Sequence, residues 1–219
     1  MGRATTSPVE SAAPATTSPE VVLLVDLARD GDQAAFADLY DLYVRQVYGY
    51  IRRRVGSTSE AEDLTGDVFL RAWRRFDRFE WKGVDLGAWF MTIARNRVND
   101  HFKSSRFRLE RSTDTLADRA EATPDDPERV AMGRDMARTL GRALEALKDP
   151  HREVIELRFI HDLSVTETAA VLGRTIGATK ALQYRALRAL ADEVRGQPGF
   201  DAILASGFVG LISLLGVLG

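Results

Sequence analysis

The stretch WFMTIARNRVNDHF, residues 89–102, sets Arg95, Asn96, Arg97, Asn99 and His101 beside an apolar run of Trp89, Phe90, Ile93, Ala94, Val98 and Phe102. Arginine and asparagine on an aromatic body are suited to holding phosphates while a base leaves its stack and is read in a pocket. Asparagine offers both a donor and an acceptor to a base edge. An amphipathic core helix whose basic residues face water has the same pattern, so this stretch alone leaves both readings open.

Charge along the chain narrows the choice. The net charge of -2 is unevenly spread. Residues 95–108 carry five bases (Arg95, Arg97, Lys103, Arg106, Arg108) against Asp100, a net of +4, and residues 174–195 carry five bases against two acids, a net of +3. Between them, residues 110–129 hold seven acids and three bases, a net of -4. Two basic patches therefore flank an acidic spacer, so the small net negative charge does not argue against nucleic acid. Other chemistries are poorly served. There is no cysteine, and the three histidines, His101, His151 and His161, lie far apart without metal-ligand spacing. No phosphate-cradling glycine loop, catalytic dyad or metal motif is present, so neither an enzyme nor a cofactor is expected.

The elements that must position these residues read as helices throughout. Residues 1–20 are Ala, Thr, Ser and Pro with little to bury and no secretory apolar stretch, which predicts a disordered tail. From Val21, apolar residues recur at helical spacing: Val21, Leu24, Val25 and Ala28, then Phe36, Leu39, Tyr40, Tyr43, Val47, Tyr50 and Ile51, with Gly31 between the two helices. Ser59 and Glu62 have the spacing of a capping box for a helix that buries Leu64, Val68 and Trp73 or neighbours, with Gly66 in its interior at a cost of about 1 kcal/mol relative to Ala. Residues 106–133 include EATPDDPER and predict a flexible linker.

A second helical cluster follows, with Met136, Leu140, Ala143, Leu144 and Leu147 on one face. Asp149-Pro150 starts a helix through HREVIELRFIH, since proline suits a first helical turn. Ser164 and Glu167 form another capping box, Gly173 stops that helix, and Thr175 caps the next. A short capped helix, a turn at Gly173-Arg174-Thr175 and a longer basic helix make a helix-turn-helix pattern, whose second helix enters a DNA major groove. Ile176, Thr179, Gln183, Ala186, Leu187 and Leu190 face inward in this reading; Arg174, Lys180, Ala181, Tyr184, Arg185 and Arg188 face outward. A helical hairpin with a solvated charged face is the alternative.

Three segments taken in order, AEDLTGDVFLRAWRRF, GAWFMTIARNRVNDHF and HREVIELRFIHDLSVTETAAVLGRTIGATKALQYRALRAL, resemble the bacterial sigma factors of the extracytoplasmic-function group over about residues 21–195. The resemblance implies an all-α chain of two small helical domains: a sigma region 2 bundle over 21–105 and a region 4 helix-turn-helix over 134–195, joined by the linker. It implies core RNA polymerase as partner, through its β′ coiled coil and β flap, with Asp63, Asp67, Phe69, Arg71 and Trp73 at the polymerase surface. Gly66 departs from the glutamine usual in the family. The minus-10 element falls to Trp89, Arg95, Asn96, Arg97, Asn99 and Lys103, with Asn96 at a flipped base and Phe90 standing where leucine is usual. The minus-35 element falls to Arg174, Thr175, Lys180, Ala181, Tyr184, Arg185 and Arg188. The implied function is promoter recognition and melting in the cytoplasm, subject to an anti-sigma factor; the rival functions are a stand-alone helix-turn-helix regulator and an adaptor that holds polymerase without melting DNA.

Beyond residue 195 the pattern changes. Within the extension 196–219, residues 202–219, AILASGFVGLISLLGVLG, carry no charge. As a helix they would span about 27 Å, against roughly 30 Å for a hydrocarbon core. Leu204, Phe208, Leu211, Leu215 and Leu218 form a bulky stripe, and Ser206, Gly210 and Ser213 a small one. Three readings stand: docking on region 2, region 4 or a partner, membrane association, or a disordered apolar tail.

Overall fold

The computed structural model describes residues 18–81, 85–109 and 140–195, with side chains described as far as Ser104 in the second of these stretches. The chain divides into two compact units, residues 1–118 and 119–219. The described residues of both form helices and turns, with no strand among them.

In the first unit α1 (Pro19–Arg29) begins at Ser18, whose Oγ accepts from the Val21 N–H, with proline in the first turn. Val21, Val25 and Ala28 recur at helical spacing and are its buried face. Gly31, at φ +95°, makes the left-handed turn that a side chain resists. Asp32 then caps α2 (Gln33–Arg52), accepting from Ala34 and Ala35 N–H groups at 2.8 and 3.2 Å. The buried positions Leu39, Tyr43, Val47, Tyr50 and Ile51 of α2 form the hub on which α1, α3 and α4 pack.

The next helix starts earlier than its pattern suggested. Ser57, in an extended conformation, is the cap of α3 (Thr58–Trp73), its Oγ accepting from the Glu60 N–H. The Ser-x-x-Glu spacing is satisfied by Ser57 and Glu60 as well as by Ser59 and Glu62, and the earlier pair adds a half-turn of helix. Ala61, Leu64, Thr65, Val68, Phe69 and Ala72 are buried, while Trp73 is half-buried. A single 3-10 turn (Phe76–Arg78) buries Phe76 and leads toward α4 (Leu86–Leu109).

In the second unit the described helix over 140–146, α5, ends against an arginine from the following helix. Arg152 donates to the carbonyls of Leu144, Glu145 and Leu147 at 3.0 to 3.1 Å, satisfying acceptors that a helix end leaves open. Helix α6 (Asp149–Ile155) carries proline in its first turn, and its α-helical geometry stops at Ile155. A π-helical turn, Glu156–Ile160, continues it to His161. Helix α7 (Val165–Leu172) has the expected capping box: Glu167 N–H donates to Ser164 Oγ at 3.2 Å, and Ser164 N–H to Glu167 Oε2 at 2.7 Å. Gly173, at φ 64°, ends it, and Thr175 Oγ1 accepts from Ala178 N–H at 3.2 Å to begin α8 (Ile176–Arg195).

The inward face of α8 is Thr179, Leu182, Ala186, Leu187, Leu190, Ala191 and Val194. Ile176, expected inward, is 46% exposed, because it lies in the first turn, before the helix reaches its packing partners. Leu182 occupies the inward position, and Gln183 is half-buried with its amide oxygen accepting from Arg158 Nε at 3.1 Å.

Candidate nucleic-acid interface

Helix α4 is anchored by its first turns. Asp85 Oδ1 accepts from the Gly87 N–H at 2.6 Å, capping the helix start. A Cβ at Gly87 would lie 3.1 Å from a Tyr43 ring carbon and 3.2 Å from Gln46 Oε1, so any side chain there would press α4 away from α2 by a few tenths of an ångström. Phe90 is fully buried, with ring centroids 5.4 Å from Tyr43 and 5.0 Å from Phe69. Met91, Ala94 and Val98 continue this buried face. Phe102, expected with them, is 45% exposed: one turn beyond Val98 the helix has run past the core. Trp89 is half-buried beside Phe76 and Phe79 at 5.7 and 5.2 Å, in an aromatic cluster that fixes its ring.

The polar residues of α4 divide into two stripes. Asn96, Asn99 and Lys103 are exposed and follow Trp89 at seven, ten and fourteen residues, which puts all four on one face of a 3.6-residue helix. The adjacent stripe turns to α3. Arg97 places Nε and Nη2 2.9 and 2.6 Å from Asp67 Oδ2; Asp100 lies 3.9 Å from Arg71, and His101 Nε2 4.0 Å from Glu60. Arg95 is half-buried. The basic residues of this run whose side chains are described, Arg95, Arg97 and Lys103, are thus not one surface.

The same division applies to α3. Of the residues expected at its outer surface, Asp63 is exposed, Asp67 and Arg71 reach toward α4, and Phe69 is buried against Tyr40 and Phe90 at 4.7 and 5.0 Å. Trp73 packs on Phe36 at 4.9 Å and, with Gln33, Phe69 and Leu70, lines a groove between α2 and α3. Leu70, 47% exposed, is a surface residue that the sequence pattern did not single out. Its signal is an apolar side chain out of phase with Ala61, Leu64, Val68 and Ala72. Gly66 faces open space, and a Cβ added there would meet nothing within 4 Å.

In the second unit Arg174, Lys180, Ala181, Tyr184, Arg185 and Arg188 are all exposed, as expected of an outward face. None of the four basic residues among them makes an ion pair with a described residue. Arg158, not singled out in the sequence, holds the helix from behind: it donates to Gln183 Oε1 and to the Leu163 carbonyl. His151 lies near Arg185, and burial first, then the Arg185 and Lys148 charges, hold its pKa below the usual 6.5.

Comparison with known proteins decides what these two basic faces belong to. The Sigma-70 region 2 family matches residues 39–108, and the Sigma-70, region 4 family matches residues 143–192. The ECF RNA polymerase sigma factor BldN of Streptomyces coelicolor is 48% identical over 174 residues, covering 80% of this chain and 66% of BldN. The chain belongs to the extracytoplasmic-function sigma factors. Another relative of this sigma factor, SigW of Bacillus subtilis, is 29% identical over 76% of this chain and 92% of its own. The solved structure of CnrH in complex with the cytosolic domain of CnrY is 25% identical, covers 80% of this chain and 97% of CnrH, and superposes with a TM-score of 0.57. The region 2 match takes in most of α2 together with α3 and α4, and the region 4 match takes in the helix-turn-helix. Among the described residues no helix of this sigma factor is long and apolar enough to cross a membrane; the uncharged segment 202–219 lies outside them.

Proposed function

We propose that this sigma factor docks on core RNA polymerase through the outer face of α3, reads the minus-35 element with α8, and captures a base of the minus-10 element on α4. The division of the chain that goes with this reading is region 2 over 21–105, a linker over 106–133 and region 4 over 134–195, although α1 begins two residues before the first of these bounds, at Pro19, and α4 runs four residues past the second, to Leu109. The observation that carries it is the outward stripe of α4, on which Trp89, Asn96, Asn99 and Lys103 share one edge of a rigid helix. Asn96 offers a base edge both a donor and an acceptor, Lys103 neutralises backbone phosphate, and the aromatic cluster around Trp89 keeps the helix from giving way. Arg95 stands in the same run. On α8, Lys180, Tyr184 and Arg185 present donors to base edges, with Arg174, Thr175, Ala181 and Arg188 alongside on the flank. Opening the duplex costs a few kcal/mol of unstacking, which capture of the flipped base and displaced strand offsets without ATP.

Run-off transcription with purified core polymerase tests the reading. Transcripts should require both core and this factor; binding and regulation without core would favour a stand-alone regulator, and core binding without transcripts an adaptor. Asn96→Ala should impair promoter opening much more than duplex minus-35 binding, and equal losses would argue against a base pocket on α4.

An anti-sigma protein is the expected second partner, since the sigma factor RpoE, whose fold this chain shares, was solved in complex with the anti-sigma factor NepR from Bartonella quintana. The segment 202–219 is read as a further restraint, through docking or through a membrane. Deleting residues 200–219 should raise promoter activity or shift membrane fractionation; a deletion that changes neither removes that role.

A further inference from the structure

We infer that Arg97 is a positioning residue: through Asp67 it sets which face of α4 is turned to promoter DNA, and it is not one of the phosphate ligands. This rests on the proposed placement of a base at Asn96. Both hydrogen bonds from the guanidinium, at 2.9 and 2.6 Å, fall on one oxygen of Asp67, and the Arg97 side chain is only 22% exposed. Charge-assisted bonds of this length hold a side chain in one direction. Successive residues of a helix are rotated by about 100°, so pinning Arg97 to α3 fixes the direction of Asn96 beside it. The neighbouring contacts, Arg71 to Asp100 at 3.9 Å and His101 to Glu60 at 4.0 Å, are longer, so that of the polar contacts between α3 and α4 the Asp67 pair adds most to the hold that the buried face already has on the helix.

The alternative has an electrostatic penalty. If Arg97 swung out to a phosphate, Asp67 would remain as a partly buried carboxylate without its guanidinium, next to an arriving polyanion. The pair also joins two surfaces with different partners, since Asp67 belongs to the helix read as the polymerase contact. A change in how α3 is held reaches the residue beside Asn96 through this ion pair.

The test uses the full-length factor in holoenzyme with excess core, comparing Asp67→Asn, Arg97→Gln, Arg97→Lys and the Asp67→Asn/Arg97→Gln double variant. Opening is read by fluorescence of 2-aminopurine in the minus-10 element, and the salt dependence of binding is measured on a promoter fork carrying a single-stranded minus-10 segment. Each single neutralisation should lower opening by about 10-fold, with the double variant no worse than the single ones, as contacting residues that act together behave. Arg97→Lys should recover part of the loss. The log–log salt slope should stay unchanged in Arg97→Gln. A slope that falls by about one in Arg97→Gln identifies a phosphate ligand and overturns the inference, as do losses that multiply in the double variant. If Asp67→Asn fails to assemble with core, the Arg97→Gln slope still decides. Asn96→Ala in the same assay separates the two claims: normal opening there defeats the base-capture reading, whereas impaired opening there with an uncoupled pair defeats only the role of Arg97.

Discussion

Helices α4 and α8 are both long, basic and amphipathic, yet they solve opposite problems. On α4 the charged residues are divided: one stripe faces outward, and the next is engaged by Glu60, Asp67 and Arg71 of α3. On α8 the outward basic face makes no ion pair with described residues, and the structural arginines of that unit lie elsewhere, Arg152 at the end of α5 and Arg158 behind α8. A helix that enters a groove as a rod can leave its whole outer face to DNA. One that must present a single base pocket has to be fixed in rotation, and the residues that fix it come from the same basic run.

The largest effect that would sharpen this contrast is on Arg152. Arg152→Ala removes three bonds to backbone carbonyls and should lower the stability of the second unit by about 2–3 kcal/mol, read by chemical denaturation of the full chain. On the outward face the expectation is reversed. Lys180→Ala or Arg185→Ala should cost about 1–3 kcal/mol of minus-35 affinity if a bidentate base contact is lost, with the melting temperature unchanged. A drop in melting temperature instead would give α8 the same double role as α4 and break the comparison.

Two glycines probe how tightly α3 and α4 are held. Gly87→Ala should destabilise the first unit by about 1–3 kcal/mol, because the buried Tyr43 ring has little room to retreat from a Cβ at 3.1 Å. Gly66→Ala should stabilise it by about 1 kcal/mol, since the new methyl meets nothing and the helix gains propensity. Opposite signs in denaturant midpoints would confirm that α3 is free on its outer side and α4 is not on its inner side.

The smallest effect belongs to His151. Its folded-state pKa is depressed, so between the unfolded value of about 6.5 and the lower folded value the unfolded chain binds more protons. Stability of the second unit should therefore fall slightly as pH drops below 6.5 and level off once pH is under the folded pKa. His151→Gln should flatten that slope; an unchanged slope would place the titration elsewhere.

Much of the helical framework could be read from local pattern. The Ser164–Glu167 box, the Gly173 stop, the Thr175 cap and the outward residues of α8 depend on neighbours within a few positions, so spacing carries them. The cap of α3 lies beyond such local pattern, since two overlapping Ser-x-x-Glu pairs compete and only the folded backbone selects Ser57 over Ser59. Phe102 and Ile176 fit the apolar period yet are exposed, because period describes which side of a helix is apolar, not where along its length the partners end.

The sequence by itself determined an all-helical chain with two basic regions, the order of its segments, and most of its caps, because these follow from periodicity, composition and short-range hydrogen bonding. Only the tertiary structure decided that Arg97 faces Asp67, that Phe69 is core and Leu70 surface, and that Gly87 stands against Tyr43. The physical reason is that each of these depends on the rotation and approach of one helix against another. That approach is set by packing between residues distant in the chain, and no local pattern encodes it.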